Sequence, residues 1–384
     1  KLLIDRVHHY TNLLVLQSFP ISRNESSIRE ICNYAVDNEM YIILNLGTYN
    51  STTWPWQFQL FQDAKNIWGK YYLGAYYDDE PGGMQLDYDW DSFFNNENSV
   101  ELFNWILENP NLILVDGPFA VKNSTHVSRI SWYYAQIYAK LLDYQVNGTI
   151  PSNYDIETEL FFYYYKQYSA FQMLTHVGVK TFTSDYSFYW FDYEAGYDVI
   201  LAQLGWNSSY IKDIDFVRGA ANMQNKEWGA ILTWKYTQQP YLGSGAELYD
   251  QMQMAYQAGA KYIIIFNYPE IDGNPYWTMT DEHFEAVEQF SNDLMDTSNI
   301  RTIIDYSQAD AVLVLPKNYA WGMRDIDDKV WGYWYPDQKA SQIWNITCHL
   351  LLQYRLKLDI IYDDSEFPVG EKYQIVYYWN QTLK

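Results

Sequence analysis

The sequence predicts an α/β protein: a (β/α)8 barrel of the TIM type followed by a smaller α/β domain. Short apolar runs of strand length alternate with amphipathic helical periods, which is the pattern of parallel strands joined by helices. The 384 residues, of which 48% are hydrophobic, are enough for one barrel and one further module. A doubly wound sheet is the alternative, because it shows the same alternation.

Seven apolar runs have the length and spacing of barrel strands. They lie at 13–19, 41–47, 71–78, 181–185, 199–205, 229–236 and 262–268. Helical periods lie between most of them, at 26–39, 56–68, 154–177, 212–225 and 244–259. One barrel strand is therefore unaccounted for, and it either precedes Lys1 or lies at 112–115. If that strand precedes Lys1, the third visible strand, at 71–78, is the fourth strand of the barrel.

The barrel is expected over residues 1–292, with a long insertion at 82–153 that follows the third visible strand. The second domain is expected over 293–384. Its elements are predicted as a strand at 311–315, a helix at 339–354 and strands at 358–362 and 373–379. Because both ends look cut, we expect a leader, a first strand or a membrane anchor outside the given chain.

Composition limits the partners. The formal net charge is −23, which argues against a nucleic-acid partner because phosphate binding needs a basic face. Aromatic residues make up 19% of the chain, with 39 Tyr and 16 Trp, and such rings stack well on sugars. The six His show no metal-ligand spacing, and no phosphate or dinucleotide loop is present. We expect no metal and no cofactor.

Seven N-x-S/T sequons indicate N-glycosylation and hence an extracellular or cell-surface location. The acceptor residues are Asn24, Asn50, Asn123, Asn147, Asn207, Asn345 and Asn380.

The stretch YYDDEPGG at 76–83 places three carboxylates at the carboxyl end of a predicted strand, where barrel active sites are built. Glycoside hydrolysis needs one carboxyl group that stays protonated, and Glu80 is the natural candidate because neighbouring carboxylates raise its pKa. Strand alternation predicts that Asp78 and Glu80 share a direction and that Asp79 faces the other way. Pro81 and the two glycines after it are interpreted as a break that ends the strand.

The second carboxylate is predicted to be Asp185 or Glu270, each near a strand end, with a slight preference for Asp185. A structural role for Asp185, as a helix cap, fits equally well. Arg218 is expected to pair with a carboxylate. The residues expected to bind sugar through polar groups or flat rings are Asp78, Tyr186, Gln203, Trp206, Trp234, Tyr236 and Asn267.

Several segments carry a resemblance that covers nearly the whole chain. They are YYDDEPGG at 76–83, SDYSFYWFDYEAGYD at 184–198, LAQLGWN at 201–207, RGAA at 218–221, WGAILTWKY at 228–236 and AGAKYIIIFNYPE at 258–270. These segments resemble archaeal extracellular proteins related to glycoside hydrolases. That group is similar to glycosidases with a (β/α)8 barrel and a small amidotransferase-like domain, as in some beta-galactosidases.

The resemblance implies an acid/base Glu at the end of the fourth barrel strand, which fits Glu80 if the first strand precedes Lys1. It also implies a nucleophilic Glu at the end of the seventh strand. The corresponding strand here ends in Thr233-Trp234-Lys235-Tyr236, without a carboxylate.

The predicted function is that of an extracellular, N-glycosylated glycoside-hydrolase-like protein that acts on a poly- or oligosaccharide with Glu80 as general acid. The alternative is a non-catalytic cell-surface barrel that binds glycans or serves as a structural component. Assembly into a homo-oligomer or a surface layer is compatible with both functions and stays open.

Overall fold

The computed structural model describes residues 1–17, 19–47, 54–87, 154–167, 169–206, 208–295, 305–332 and 334–381. Seven parallel strands form one sheet whose order follows the chain from β1 to β7. They are β1 Leu13–Gln17, β2 Tyr41–Asn45, β3 Tyr72–Tyr76, β4 Thr181–Asp185, β5 Val199–Leu204, β6 Glu227–Leu232 and β7 Tyr262–Ile265. This sequential order confirms the barrel, because a doubly wound sheet reverses direction at its centre.

Helices follow the strands and cover the outside of the barrel. They are α1 Leu2–Val7, α2 Phe19–Ser22, α3 Glu25–Asp37, α4 Pro55–Trp68, α5 Pro81–Asp87, α6 Tyr154–Gln167, α7 Ser169–His176, α8 Tyr189–Ala195, α9 Tyr210–Gln224, α10 Gly245–Gln257 and α11 Asp281–Met295. The single helix predicted at 154–177 is thus two helices. No helix in the described ranges has both the length and the apolar character needed to cross a membrane.

The barrel interior is filled by side chains from alternate strand positions, as in other closed parallel sheets. The buried members of this inner cluster are Ile43, Tyr76, Phe182, Val199, Leu201, Ile231 and Tyr262. Strands β4 and β5 are buried along their whole length, since the helices cover the outer face. The apolar runs of the sequence therefore mark strands that are buried on both faces.

Strands β3 and β4 pair directly, with Ala75 opposite Thr181 and Tyr76 opposite Phe182. No further strand lies between them, although a long insertion separates them in the chain. The candidate strand at 112–115 lies outside the described residues. Within those residues, no eighth strand joins β7 to β1.

A second, smaller parallel sheet has the order β10-β8-β9. Its strands are β8 Ala311–Leu315, β9 Leu358–Tyr362 and β10 Ile375–Tyr378, and α12 spans Gln338–Tyr354. Helix α9 packs between barrel strands β5 and β6 on one side and β9 on the other. The second sheet is therefore attached to the barrel through α9. The boundary predicted near 292 falls within α11 and stays a prediction.

Candidate active site

The strand that carries the three carboxylates ends at Tyr76, two residues earlier than expected. Beyond it, Asp78 and Glu80 both adopt left-handed backbone angles, with φ of 54° and 52°. This conformation is uncommon outside glycine and breaks the alternation of a strand. The expectation that Asp79 points away from Glu80 is therefore wrong: the turn aims both side chains at the mouth of the barrel, as their hydrogen-bond partners show.

Asp79 is held by two hydroxyl groups. Its Oδ1 accepts a hydrogen bond from Ser184 Oγ at 3.0 Å and another from the hydroxyl of Tyr76. The Tyr76 hydroxyl oxygen also lies 2.8 Å from Ser184 Oγ. The other oxygen, Oδ2, accepts no hydrogen bond within the described chain, and the side chain is exposed to solvent. Asp79 is therefore oriented through one oxygen and open at the other.

Glu80 is held in a similar way. Gln203 Nε2 on β5 donates to Glu80 Oε1 at 2.6 Å and lies 3.0 Å from Ser184 Oγ. The second oxygen, Oε2, has no hydrogen-bond partner within the described residues, and no ion pair to Glu80 is present there. Burial raises the pKa of Glu80, the bond from Gln203 opposes this, and the Asp79 and Asp87 carboxylates raise it further. This environment favours the protonated form of the Glu80 carboxyl group more than free solution does.

Asp185 is fully buried at the end of β4. Its two oxygens accept hydrogen bonds from four backbone amides: those of Gly82 at 2.7 Å, Gly83 at 3.0 Å, Tyr186 at 2.7 Å and Ser187 at 3.1 Å. Such a carboxylate cannot also reach a substrate without giving up these bonds. The geometry favours the capping role that the sequence left open, because Asp185 fixes the start of α5 beside Glu80.

Pro81, Gly82 and Gly83 form the first turn of α5, so this segment is a helix start and not a break. Proline is favoured at this position because its ring fixes a helical φ and no amide hydrogen is needed. A Cβ on Gly82 would lie 2.4 Å from the Cβ of Phe188, and one on Gly83 would lie 2.3 Å from the ring of Tyr186. Only glycine therefore lets these amides approach the loop that follows β4.

A second buried acid, Asp192 on α8, contacts the Asp185 side chain. Asp192 is fully buried, and neither of its oxygens has a hydrogen-bond donor within the described residues. Burial and the neighbouring Asp185 carboxylate raise the pKa of Asp192 well above its ordinary value. Burial also raises the pKa of Asp185, but its four amide donors favour the ionised form. These contacts favour the charge on Asp185 and the proton on Asp192.

Aromatic rings surround the mouth at the carboxyl ends of β5 to β7. Trp206, Tyr236 and Tyr268 are 46%, 43% and 50% exposed. The rings of Trp234 and Tyr268 are parallel within 8° at 6.1 Å, and Trp206 packs edge-on against Trp234 at 5.4 Å. Trp234 Nε1 donates to the Tyr268 carbonyl at 2.5 Å. These contacts brace an exposed aromatic surface that matches the predicted positions of Trp206, Trp234 and Tyr236.

Other predicted site residues have structural contacts. The Asn267 Oδ1 accepts from the amide and hydroxyl of Thr278, at 3.0 and 2.9 Å. The Tyr186 hydroxyl donates to Asp87 at 2.6 Å, and its ring packs against Gly83 and Arg324. The Asp78 carbonyl accepts from the Thr183 hydroxyl at 3.0 Å. Glu270 is exposed in the loop after β7, and its catalytic role stays a prediction.

Tyr76, Asp79 and Ser184 are site residues that the sequence analysis missed. Asp79 was adjacent to the predicted acid, but strand alternation excluded it. Tyr76 and Ser184 lay in predicted strands and were given no role in the site. The sequence did contain a signal that could have identified them. Thr183 and Ser184 are hydroxyl residues at the end of a buried strand, and buried hydroxyl groups need hydrogen-bond partners.

Three of the seven glycosylation candidates lie in the described residues. Asn24 is exposed and caps α3, with its Oδ1 accepting from the Ser27 amide at 3.0 Å. Asn345 is exposed within α12, while Thr347 of the same sequon is buried. Asn380 is exposed after β10. Asn50, Asn123, Asn147 and Asn207 lie outside the described residues.

Comparison with known proteins adds one result about the fold. No protein-family model and no curated protein sequence matches the chain. Among solved structures, the beta-galactosidase from Bacillus circulans sp. alkalophilus is similar, with a TM-score of 0.52 and 11% sequence identity. The alignment covers 98% of this chain and 63% of that enzyme. The protein shares the fold of a glycosidase.

Proposed function

We propose that the protein is a glycoside-hydrolase-like enzyme that acts on an oligo- or polysaccharide, with Glu80 as general acid. This proposal rests on the position, the pKa and the hydrogen bonds of Glu80. It lies at the carboxyl end of a barrel strand, it has a raised pKa, and its Oε2 accepts no hydrogen bond in the described chain. A protonated carboxyl group in this position can donate a proton to a glycosidic oxygen.

The aromatic surface around the mouth supports a carbohydrate ligand. Sugar rings have apolar faces that pack on flat aromatic side chains, and polar edges that hydrogen-bond to amides and carboxylates. The exposed rings of Trp206 and Tyr268 supply the first kind of contact. Gln203 and Asp79 supply the second. The similarity to a beta-galactosidase structure is consistent with this ligand class.

One observation favours the alternative of a non-catalytic barrel that binds glycans. Strand β6 is followed by Thr233, Trp234 and Lys235, and Lys235 forms an ion pair with Glu247. No carboxylate at this strand end faces Glu80. The two functions predict the same ligand but different outcomes for turnover.

The test is hydrolysis of a panel of 4-nitrophenyl glycosides and plant or microbial polysaccharides by the wild type and by E80Q. Gln has the shape of Glu but cannot donate a carboxyl proton, so we expect kcat/KM to fall by about 10²–10⁴-fold. The control is D250N, which removes one exposed carboxylate on α10. Equal rates for E80Q and wild type would contradict the proposal. Glycan binding without turnover would favour the non-catalytic alternative.

We also propose that the protein is glycosylated and extracellular or at the cell surface. The exposure of Asn24 and Asn380 supports this, since acceptor residues must be accessible. Glycopeptide mass spectrometry of protein isolated from its source cells is the test. Unmodified peptides at every sequon would contradict it.

A further inference from the structure

The second reacting group is the open question of this site. Both standard glycosidase mechanisms need two carboxyl groups on opposite faces of the sugar ring. In the described residues, the Asp79 and Asp87 carboxylates raise the pKa of Glu80, and Glu80 in turn raises the pKa of Asp185. Asp185 is occupied by four backbone amides. Asp87 is held by Arg324 at 2.6 Å and by the hydroxyl of Tyr186. Asp79 is the remaining group.

Asp79 cannot serve as the opposite carboxylate of a standard pair. It is adjacent to Glu80 in the chain, and both side chains enter the mouth from one turn at the end of β3. They therefore approach a bound sugar from the same side. A nucleophile is still needed on the other face, and a group of the substrate itself can supply it.

We infer that the site hydrolyses 2-acetamido-2-deoxy-β-glycosides, with the acetamido oxygen of the substrate as nucleophile and Asp79 as the acceptor of its N–H. The inference rests on the proposed function of Glu80 as general acid. The acetamido group is next to the reacting carbon and trans to the leaving group in such sugars, so its oxygen can reach the face opposite Glu80. Asp79 then needs to touch only the acetamido nitrogen.

The chemistry balances in two steps. In the first, Glu80 gives its proton to the glycosidic oxygen, the bond from C1 to that oxygen breaks, and the acetamido oxygen forms a bond to C1. The N–H proton of the resulting five-membered ring is held by Asp79. In the second, water attacks C1, Glu80 takes a proton from the water, and the bond from C1 to the acetamido oxygen breaks. The products are an alcohol and a sugar of retained configuration, with one water consumed.

The contacts of Asp79 suit this role. A carboxylate has only acceptor oxygens, and an acetamido nitrogen offers one donor. Oδ1 is fixed by Tyr76 and Ser184, while Oδ2 is without a hydrogen bond in the described chain. Fixing one oxygen aims the other, which reduces the cost of orienting the acetamido group. The same network reaches Glu80 through Gln203 and Ser184.

The first measurement compares 4-nitrophenyl N-acetyl-β-D-glucosaminide and galactosaminide with the corresponding β-D-glucoside and β-D-galactoside. We expect the acetamido substrates to have a kcat/KM higher by about 100-fold or more, because only they carry the internal nucleophile. Preferred hydrolysis of the 2-hydroxy substrates in a Glu80-dependent reaction would overturn the inference and leave the proposed function intact.

The second measurement uses D79N. The amide keeps the size of the side chain but puts an N–H₂ donor or a neutral oxygen against the acetamido N–H. We expect kcat on the acetamido substrates to fall by about 100-fold, and to fall by a larger factor than any residual rate on 2-hydroxy substrates. The control D87N also removes a carboxylate that acts on Glu80, and it should keep the acetamido preference. An unchanged preference in D79N would overturn the role of Asp79.

The third measurement is calorimetric binding of a thiazoline-fused N-acetylglucosamine, a stable mimic of the cyclic intermediate. We expect binding to the wild type and at least about tenfold weaker binding to D79N. This binding does not require turnover, so it supports the inference even if no tested glycoside is cleaved. Absence of binding would overturn the inference. Absence of both binding and Glu80-dependent hydrolysis would also remove the proposed function.

Discussion

At the scale of single residues, the site depends on backbone angles that most residues avoid. Left-handed φ values at non-glycine residues cost on the order of 1–3 kcal/mol when the surroundings enforce them. Asp78 and Glu80 both have such values, on either side of Asp79. Hydrogen bonds from Glu80 N to the Ser184 carbonyl at 3.0 Å and from Met84 N to the Glu80 carbonyl at 2.7 Å hold this turn. The turn is what brings two adjacent carboxyl groups to one mouth.

Asp192 gives a residue-scale prediction about pH. Its raised pKa means that the folded protein keeps a proton that the unfolded chain releases above about pH 4. The stabilisation from this proton is complete below that pH and is lost as pH rises toward the folded pKa. In D192N the amide donates to Asp185 and cannot titrate. We expect the stability of D192N relative to wild type to increase from pH 5 to pH 8.

Urea unfolding at pH 5, 6, 7 and 8 measures this difference. The matched variant is D185N, which replaces one of the two acceptor oxygens with an N–H₂ donor facing backbone amides and should be strongly destabilised at every pH. A constant difference between D192N and wild type across this range would show that Asp192 carries no extra proton in the folded state.

At the scale of elements, the start of α5 is set by close packing. The segment Pro81, Gly82, Gly83 presses against the loop after β4, and its amides point at Asp185. Because Asp185 and Glu80 are joined through this turn, the position of Glu80 depends on how closely α5 approaches that loop.

The element-scale prediction is that G82A destabilises the protein by about 1–3 kcal/mol through overpacking against the Phe188 Cβ. The control is G370A, because a Cβ at Gly370 would meet no atom within 4 Å. Urea denaturation midpoints of both variants and the wild type measure the effect. A G82A midpoint equal to that of G370A would contradict this account of the glycines.

The elements themselves could be predicted well where they are buried. Strand β4 and the second-sheet strands β8 and β9 have the predicted bounds. A short continuous run of apolar residues is typical of a parallel strand that is buried on both faces, so such strands are easy to identify. Among the helices that were missed are α2, α5, α8 and α11. Helix α5 was missed because Pro-Gly-Gly is typical of a break, and its helical form depends on Asp185, which lies far away in the chain.

At the scale of the whole molecule, one buried arginine joins the barrel to the second sheet. Arg218 on α9 is fully buried and contacts Asp359 on β9 at 2.6 Å, Asp215 at 3.2 Å and the carbonyls of Leu358 and Tyr306. The expectation that Arg218 pairs with a carboxylate is confirmed. Tyr373 also donates to Asp359, at 2.5 Å. The junction is therefore a buried, hydrogen-bonded interface.

The whole-molecule prediction is that R218M destabilises the protein by about 3–5 kcal/mol, since two buried carboxylates lose their cation. The matched variant R29M removes a partly exposed arginine that pairs with Glu25 on α3, and its effect should stay below about 1 kcal/mol. Thermal unfolding followed by circular dichroism compares the two. A similar loss in both variants would show that the junction does not need Arg218.

The sequence by itself determined the alternation of strands and helices and the position of Glu80 at the carboxyl end of a strand. These features depend on local apolar periodicity, which neighbouring residues carry. The tertiary structure decided that the strands close in chain order, that Asp79 turns into the mouth, and that Asp185 binds backbone amides. It also paired Asp192 with Asp185 and Gln203 with Glu80. Gln203 and Glu80 are 123 residues apart, so no local pattern could place them together.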